Sequence, residues 1–301
     1  GWSCCLPLQP ICTGSTRSLA SLDFLVVCDF FLSETAAQAD LVLPVLQWAE
    51  EEGSMTNLEG RILRRRAALE APGNARSELW ILSQLAQRLD APGHFSPDPR
   101  EVFEELKEAS AGGLADYSGV RWDDLDAGAA IYWPCPAGTE VTTEPGIRNG
   151  TPRLFLDGFA HADRRAVLVP VAFQPAPRKS AAAVSLVTGR LLEHYQSGAQ
   201  TRRVPELAHA APEPMLEIHP ATALAHRIVQ GQKVVISNER GEVTARALLT
   251  ADARLDTVFL PFHYPGAGTA NLLTEAKVDP HSRMPEFKHA HVSLNTVEEE
   301  Q

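Results

Sequence analysis

The segment Thr188–Arg203, TGRLLEHYQSGAQTRR, concentrates side chains suited to holding an anion. Thr188, Gly189 and Arg190 follow an apolar run. A glycine there lets backbone approach a phosphate, while Thr188 and Arg190 supply donors. His194, Gln196 and Ser197 add donors within the same short stretch. Arg190, Arg202 and Arg203 stand against a single acid, Glu193, in a chain whose formal net charge is -11. The same residues would also suit a solvated hairpin with surface arginines.

Other positions invite weaker readings. Asp29 closes the apolar run LVVCD, and an acid beyond the carboxyl end of a strand can bind a ribose or a base. Asp29 suits a helix cap equally well, and Cys28 before it suits plain packing. His263 lies in PFHYPGAG, where a histidine beside a glycine-rich turn is usually structural. His289 and His291 share one face of a strand, with His281 upstream, but no third ligand follows at a metal-binding spacing. Gly266–Gly268 is not a phosphate loop, because no G-K-[ST] follows. No catalytic residue and no metal ligand is assigned.

These residues need elements to position them. LDFLVVCDFF (22–31) and ADLVLPV (39–45) read as buried strands, with LSETAAQA (32–39) as a helix between them. EEEGSMTNLEGRILRRRAAL (50–69) has turn residues at Gly53 and Asn57, then a polar strand. SELWILSQLAQRLD (77–90) and PREVFEELKEAS (99–110) have helical spacing. Strands alternating with helices imply a partial doubly wound α/β domain over 20–110. Residues 111–165, rich in Gly, Pro and Asp, read as an extended connection over the surface. From 166 the pattern is β: AVLVPVAF (166–173), AVSLVTG (183–189), the hairpin QKVVISNERGEVTARALLT (232–250) and DTVFLPFH (256–263), with a short helix at 220–228. A closed β-barrel over 166–298 fits, so the fold class is α/β followed by β.

Composition bounds the partners. The negative surface disfavours nucleic acid and anionic membranes, and no run of about 18 apolar residues suggests a membrane span. Five cysteines at 4, 5, 12, 28 and 135, without a C-x-x-C pair, fit a reducing cytoplasmic compartment rather than a disulfide framework, a zinc site or an iron–sulfur cluster. The opening GWSCCLPLQPICTGSTRS is expected to be a truncated or wrongly joined beginning.

Five separated blocks carry a family resemblance. VSLVTGRLLEHYQSGAQTRR (184–203), FLPFHYPGAGTANLLT (259–274) and DPHSRMPEFK (279–288) resemble the molybdopterin-dinucleotide-binding domain of the dimethyl-sulfoxide-reductase superfamily. ETAAQADLVLPVLQWAEEEGSMTNLEGR (34–61) and PGNARSELWILSQLAQRL (72–89) are similar to the α/β domain before it, with WPCP (133–136) and GTPRLF (150–155) as the bridge. HYQSGAQTRR looks most like assimilatory nitrate reductases.

The resemblance implies a double-psi barrel and a molybdenum bis(molybdopterin guanine dinucleotide). It places Asp29 on the nucleotide and Glu78, where Asp is familiar, against a guanine. Glu78 otherwise reads as a first-turn helix acid. It also places Asn271 and Lys288 on pterin or phosphate; without it they read as a turn Asn and a surface Lys. The cofactor-binding set is therefore Asp29, Glu78, Thr188, Gly189, Arg190, His194, Gln196, Ser197, Arg202, His263, Asn271 and Lys288. The family's metal-ligating Cys and its 4Fe-4S cysteines have no match here and are expected in a missing N-terminal part.

The expected function is thus the C-terminal, cofactor-holding portion of a nitrate reductase, inactive alone, about the last two-fifths of the enzyme. Its expected partners are the missing part, an electron-donor protein and a small anion such as nitrate. A formate dehydrogenase alpha-type fragment is the alternative, and a non-catalytic β-barrel adaptor is the alternative of another class. The blocks over 20–110 argue against the adaptor.

Overall fold

The computed structural model describes residues 18–173, 184–275 and 277–297. Two compact units result, one formed by residues up to Leu43 with those from Pro175 onward, the other by Pro44–Gln174.

In the first unit, β1 (Val26–Asp29) and β2 (Leu41–Pro44) form a two-stranded sheet. The link between them is a single 3-10 turn, Ala36–Gln38, not the helix expected over 32–39. Ser33 and Asp29 explain this. Ser33 donates its hydroxyl to Asp29 Oδ2 at 2.6 Å and accepts from the Ala36 amide at 3.3 Å. Local side-chain bonds of this kind compete with helix.

The second unit holds the sheet β3 (Gly53–Thr56), β4 (Arg61–Arg65), β5 (Ile131–Tyr132) and β6 (Asn149–Gly150), in that order. Helix α1 (Glu78–Arg88) starts at Ser77, which accepts from the Trp80 amide. Helix α2 (Pro99–Ser110) starts at Asp98, with Pro99 in the first turn. Ile62, Phe103, Val120, Trp122, Leu125, Ile131 and Cys135 form its core. The expected surface connection over 111–165 does not describe this region. Helix α3 (Trp122–Asp126), β5 and β6 lie inside it, and Val120, Trp122, Leu125, Ala129, Ile131 and Cys135 of this stretch supply most of that core. Its isolated aromatics converge: Phe103 meets Trp122 edge-on at 5.5 Å and Tyr117 at 6.3 Å.

The strand expected over 166–173 is a second correction. These residues form no ladder among the described residues, and Val167, Leu168, Val169, Val171 and Phe173 are exposed. Pro170 lacks the amide a central strand would need, and no neighbouring strand aligns with it.

The first unit continues as a closed barrel of six described strands. They are β7 (Val184–Gly189), β8 (Met215–Ile218), β9 (Lys233–Asn238), β10 (Gly241–Leu249), β11 (Thr257–Pro261) and β12 (His289–Thr296). Alternation decides what faces in: Leu186 on β7, Val243, Ala245 and Ala247 on β10, and Ala290, Val292 and Leu294 on β12 are buried together. Parallel pairing of β7 with β11 and of β8 with β10 gives the double-psi crossing. β11 separates β7 from β8 in the barrel, so the 190–214 connection must cross over it. That connection carries the basic loop and a short helix, α4 (Pro205–Ala210). Helix α5 (Pro220–Ala225) links β8 to β9. The opening segment and Ala183 lie outside the described residues.

Candidate functional site

The basic loop leaves the carboxyl end of β7. Thr188 is buried; its amide donates to the Lys288 carbonyl at 3.1 Å and its hydroxyl to the Phe287 carbonyl at 2.7 Å. Gly189 ends the strand against Phe259, where an added Cβ would sit 2.6 Å from the ring. Arg190 is exposed, its guanidinium 5.9 Å from the Phe262 ring.

Two buried histidines fix the loop. His263 is fully buried and its Nε2 accepts from the Leu191 amide at 2.8 Å, while Nδ1–H donates to the Gln196 carbonyl. That pattern requires the neutral ring. Burial holds His263 below the usual histidine range, partly opposed by the Gln196 carbonyl and aided by His194, Arg190 and Arg202. His194 Nε2 faces the Ala211 carbonyl at 2.9 Å and its Nδ1 faces the Thr201 hydroxyl at 3.0 Å. The Tyr264 hydroxyl donates to the same Ala211 carbonyl at 3.0 Å. Burial, with Glu193 and Glu213, pushes that phenol up to about 12. Both ring nitrogens of each histidine are therefore engaged within the protein, and these rings shape the loop rather than present donors to a ligand. Gln196 adopts φ 50°, and Ser197 is buried beside Gly198.

Arg202 and Arg203 fasten the loop to the turn after β1. Arg202 Nη2 donates to Glu34 Oε1 at 2.6 Å. Arg203 donates to the Leu32 carbonyl at 2.7 Å, bonds the Ala199 carbonyl, and lies 5.0 Å over the Phe31 ring. Asp29, in the same turn, accepts from Ser33 Oγ and the Phe31 amide. These bonds shape the turn after β1, and the Ala36 amide at its 3-10 segment is taken by Ser33 rather than by Asp29.

Buried atoms are left over on Arg202 and on the residue that follows Glu34. Arg202 Nε and Thr35 Oγ1 are buried without a hydrogen-bond partner among the described residues. Gly198, at φ 74°, packs bare backbone against Arg202, where an added Cβ would sit 2.9 Å from Nε and 2.7 Å from the His263 carbonyl. A cationic donor and a hydroxyl suit phosphate oxygens, while Gly198 lacks a side chain because Arg202 and the His263 carbonyl fill that space. The contact thus fits the diphosphate of a dinucleotide. Local sequence gave no sign of Glu34, since its partner Arg202 is 168 residues distant.

The remaining candidates are dispersed. Asn271 is buried in a 3-10 turn of the barrel unit, Ala270–Leu272. Lys288 is exposed at the start of β12, its ammonium 6.0 Å from the Phe287 ring. Glu78 belongs to the other unit, exposed in the first turn of α1. A groove there is lined by Trp80, Gln84, Gln87, His94 and Phe95, not by Glu78. Among the described residues no cluster of three or more His, Cys, Asp or Glu could hold a metal ion. His291 instead pairs with Glu275 at 3.2 Å.

Residues 184–291 match the molydopterin dinucleotide binding domain family, and residues 11–88 match the molybdopterin oxidoreductase family. The chain is 40% identical over 277 residues to the assimilatory nitrate reductase catalytic subunit of Bacillus subtilis, covering 90% of this chain and 38% of that protein. It is 35% identical over 285 residues to the F420-dependent formate dehydrogenase subunit alpha of Methanocaldococcus jannaschii, covering 93% and 40%. Acetylene hydratase from Pelobacter acetylenicus shares the fold, with a TM-score of 0.67 at 17% identity over 95% of this chain and 42% of that one. The chain spans about two-fifths of the length of these curated relatives.

Proposed function

The chain belongs to the molybdopterin oxidoreductase family, and from that premise we propose that it is the cofactor-holding portion of a nitrate reductase that uses molybdenum bis(molybdopterin guanine dinucleotide). The orphaned Arg202 Nε beside Gly198 is the observation that carries the holding role. Higher identity to the nitrate reductase subunit than to the formate dehydrogenase subunit favours nitrate over formate.

When bound, the metal group supplies two-electron oxygen-atom chemistry, taking nitrate, two electrons and two protons to nitrite and water. This chain's residues would bind and orient. Arg202, Arg190 and Lys288 meet phosphate or pterin oxygens, and Thr188 and Gly189 let backbone approach. His194, Gln196, Ser197 and His263 keep the loop in shape. Asp29, Glu78 and Asn271 meet the nucleotide or pterin edge. In this reading 20–110 and 166–298 are the two cofactor-facing regions, and 4Fe-4S cysteines, the electron-donor contact and the metal ligand lie in polypeptide beyond these residues. The proposed site of action is the cytoplasm.

Two assays test the reading. The 301-residue chain should take up GDP and inorganic pyrophosphate in a calorimeter; no heat with either would remove the holding role. A chimera carrying the upstream part of the B. subtilis relative should reduce nitrate with reduced viologen. Formate oxidation without nitrate reduction would reassign the substrate.

A further inference from the structure

Building on the cofactor-holding reading, the geometry points to Thr35 as a further residue that binds the cofactor's diphosphate, with Glu34 as the positioning residue that presents Arg202 to it. Neither residue is marked by the local sequence, which reads ETAA as the start of a helix.

Thr35 precedes the 3-10 turn at Ala36–Gln38, where Ser or Thr would ordinarily cap. It makes no capping bond. Ser33 does that work, accepting from the Ala36 amide through Oγ at 3.3 Å and from the Ala37 amide through its carbonyl at 2.8 Å. The Thr35 hydroxyl is left buried and unpartnered among the described residues. Proteins rarely leave such a group without use, because burying it forfeits its bond to water.

Arg202 is left in a matching state. Its Nη2 and Nε share the edge of the guanidinium that grips two oxygens of a carboxylate or phosphate at once. Glu34 takes Nη2 through one oxygen, Oε1, at 2.6 Å, and Nε on that edge is buried without a partner. The edge is half filled. The side chain cannot drift, because Gly198 accepts from its amide at 2.9 Å and packs against Nε. Arg203 holds the other side of the contact through Leu32 and Phe31. Thr35 is next in the chain to Glu34, and the unpartnered Nε lies on the arginine that Glu34 holds. An acceptor oxygen of a diphosphate satisfies both chemistries.

The sign of one substitution separates positioning from plain charge. Were Glu34 only a negative charge near the site, its removal would tighten anion binding. As the residue that orients Arg202, its removal should weaken binding although a repulsive charge is lost.

The experiment titrates the full 301-residue chain and its variants with inorganic pyrophosphate and with GDP by calorimetry, with near-ultraviolet circular dichroism on each variant. T35V and R202K are expected to weaken pyrophosphate by about tenfold each, the latter although charge is kept, and T35S to return within about twofold of the parent. E34A is expected to weaken it by about threefold or more. Where T35V disturbs the fold, T35A reads the same loss of hydroxyl. A parent chain that binds with T35V, T35A and E34A equal to it or tighter overturns this inference alone. A parent chain that binds neither probe overturns the holding role as well.

Discussion

Arg202 reaches across 168 positions to place its Nη2 at 2.6 Å from Glu34 Oε1. The pair joins the loop after β7 to the turn after β1, so it is a tertiary contact rather than a surface ornament. Its side chains are 21% and 32% exposed. Solvent screening at that exposure limits such a pair to about 0.2–1 kcal/mol. A double-mutant cycle of E34A and R202A in urea should give a coupling within that range. Coupling above about 2 kcal/mol would mean the pair is far drier than its exposure indicates.

His263 offers a sharper stability test. It spans the Leu191 amide and the Gln196 carbonyl with its two ring nitrogens. His263→Phe keeps bulk but orphans both backbone groups, each costing about 1–3 kcal/mol if water cannot reach it. Urea unfolding should show a loss of that order, and the Leu191 amide should exchange faster with deuterium. Unchanged exchange at Leu191 would remove His263 from the loop's support.

The same histidine sets a pH dependence. Burial lowers its folded value from 6.5. The unfolded chain therefore takes up a proton as pH falls below about 6.5 while the folded ring stays neutral. Stability from this group is intact above that pH and declines below it, down to the folded value. Unfolding free energy between pH 7.5 and 5.5 should fall more steeply in the parent than in His263→Phe. Parallel slopes would contradict the assignment.

Much of this was legible in the sequence, for a physical reason. Barrel strands alternate at period two, and Val184–Gly189 and Gly241–Leu249 display that alternation directly. A basic loop in an acidic chain is visible as composition. Residues 111–165 hid their core because Val120, Trp122, Leu125 and Ile131 are spaced irregularly, and only long-range packing on Phe103 gathers them. AVLVPVAF has strand chemistry but finds no partner among the described residues. Glu34 escaped because its partner is Arg202, and no local spacing encodes a contact that distant.

Gly198 should tolerate no side chain. At φ 74° an L residue is strained by about 1–3 kcal/mol. An alanine Cβ would also press on the His263 carbonyl at 2.7 Å and on Arg202 Nε at 2.9 Å. Gly198→Ala should lower the melting temperature and weaken pyrophosphate binding together. A variant as stable as the parent, with unchanged binding, would show that the loop can move aside without consequence.

Salt should sort the cations by their setting. Arg190 and Lys288 are exposed, whereas Arg202 is held at 21% exposure with its own Nε buried and unpartnered among the described residues. Charge attraction from exposed groups is screened once the Debye length falls to about 3 Å near 1 M salt, while a partly buried directional bond is screened far less. Pyrophosphate titrations in dilute buffer should therefore show losses for R190A, K288A and R202K alike. Near 1 M sodium chloride the first two should converge on the parent, and R202K should remain weaker. Convergence of all three would reduce Arg202 to a diffuse charge and leave Thr35 without a partner in the seat. Persistence of the R190A deficit at high salt would instead move Arg190 into direct contact with the ligand.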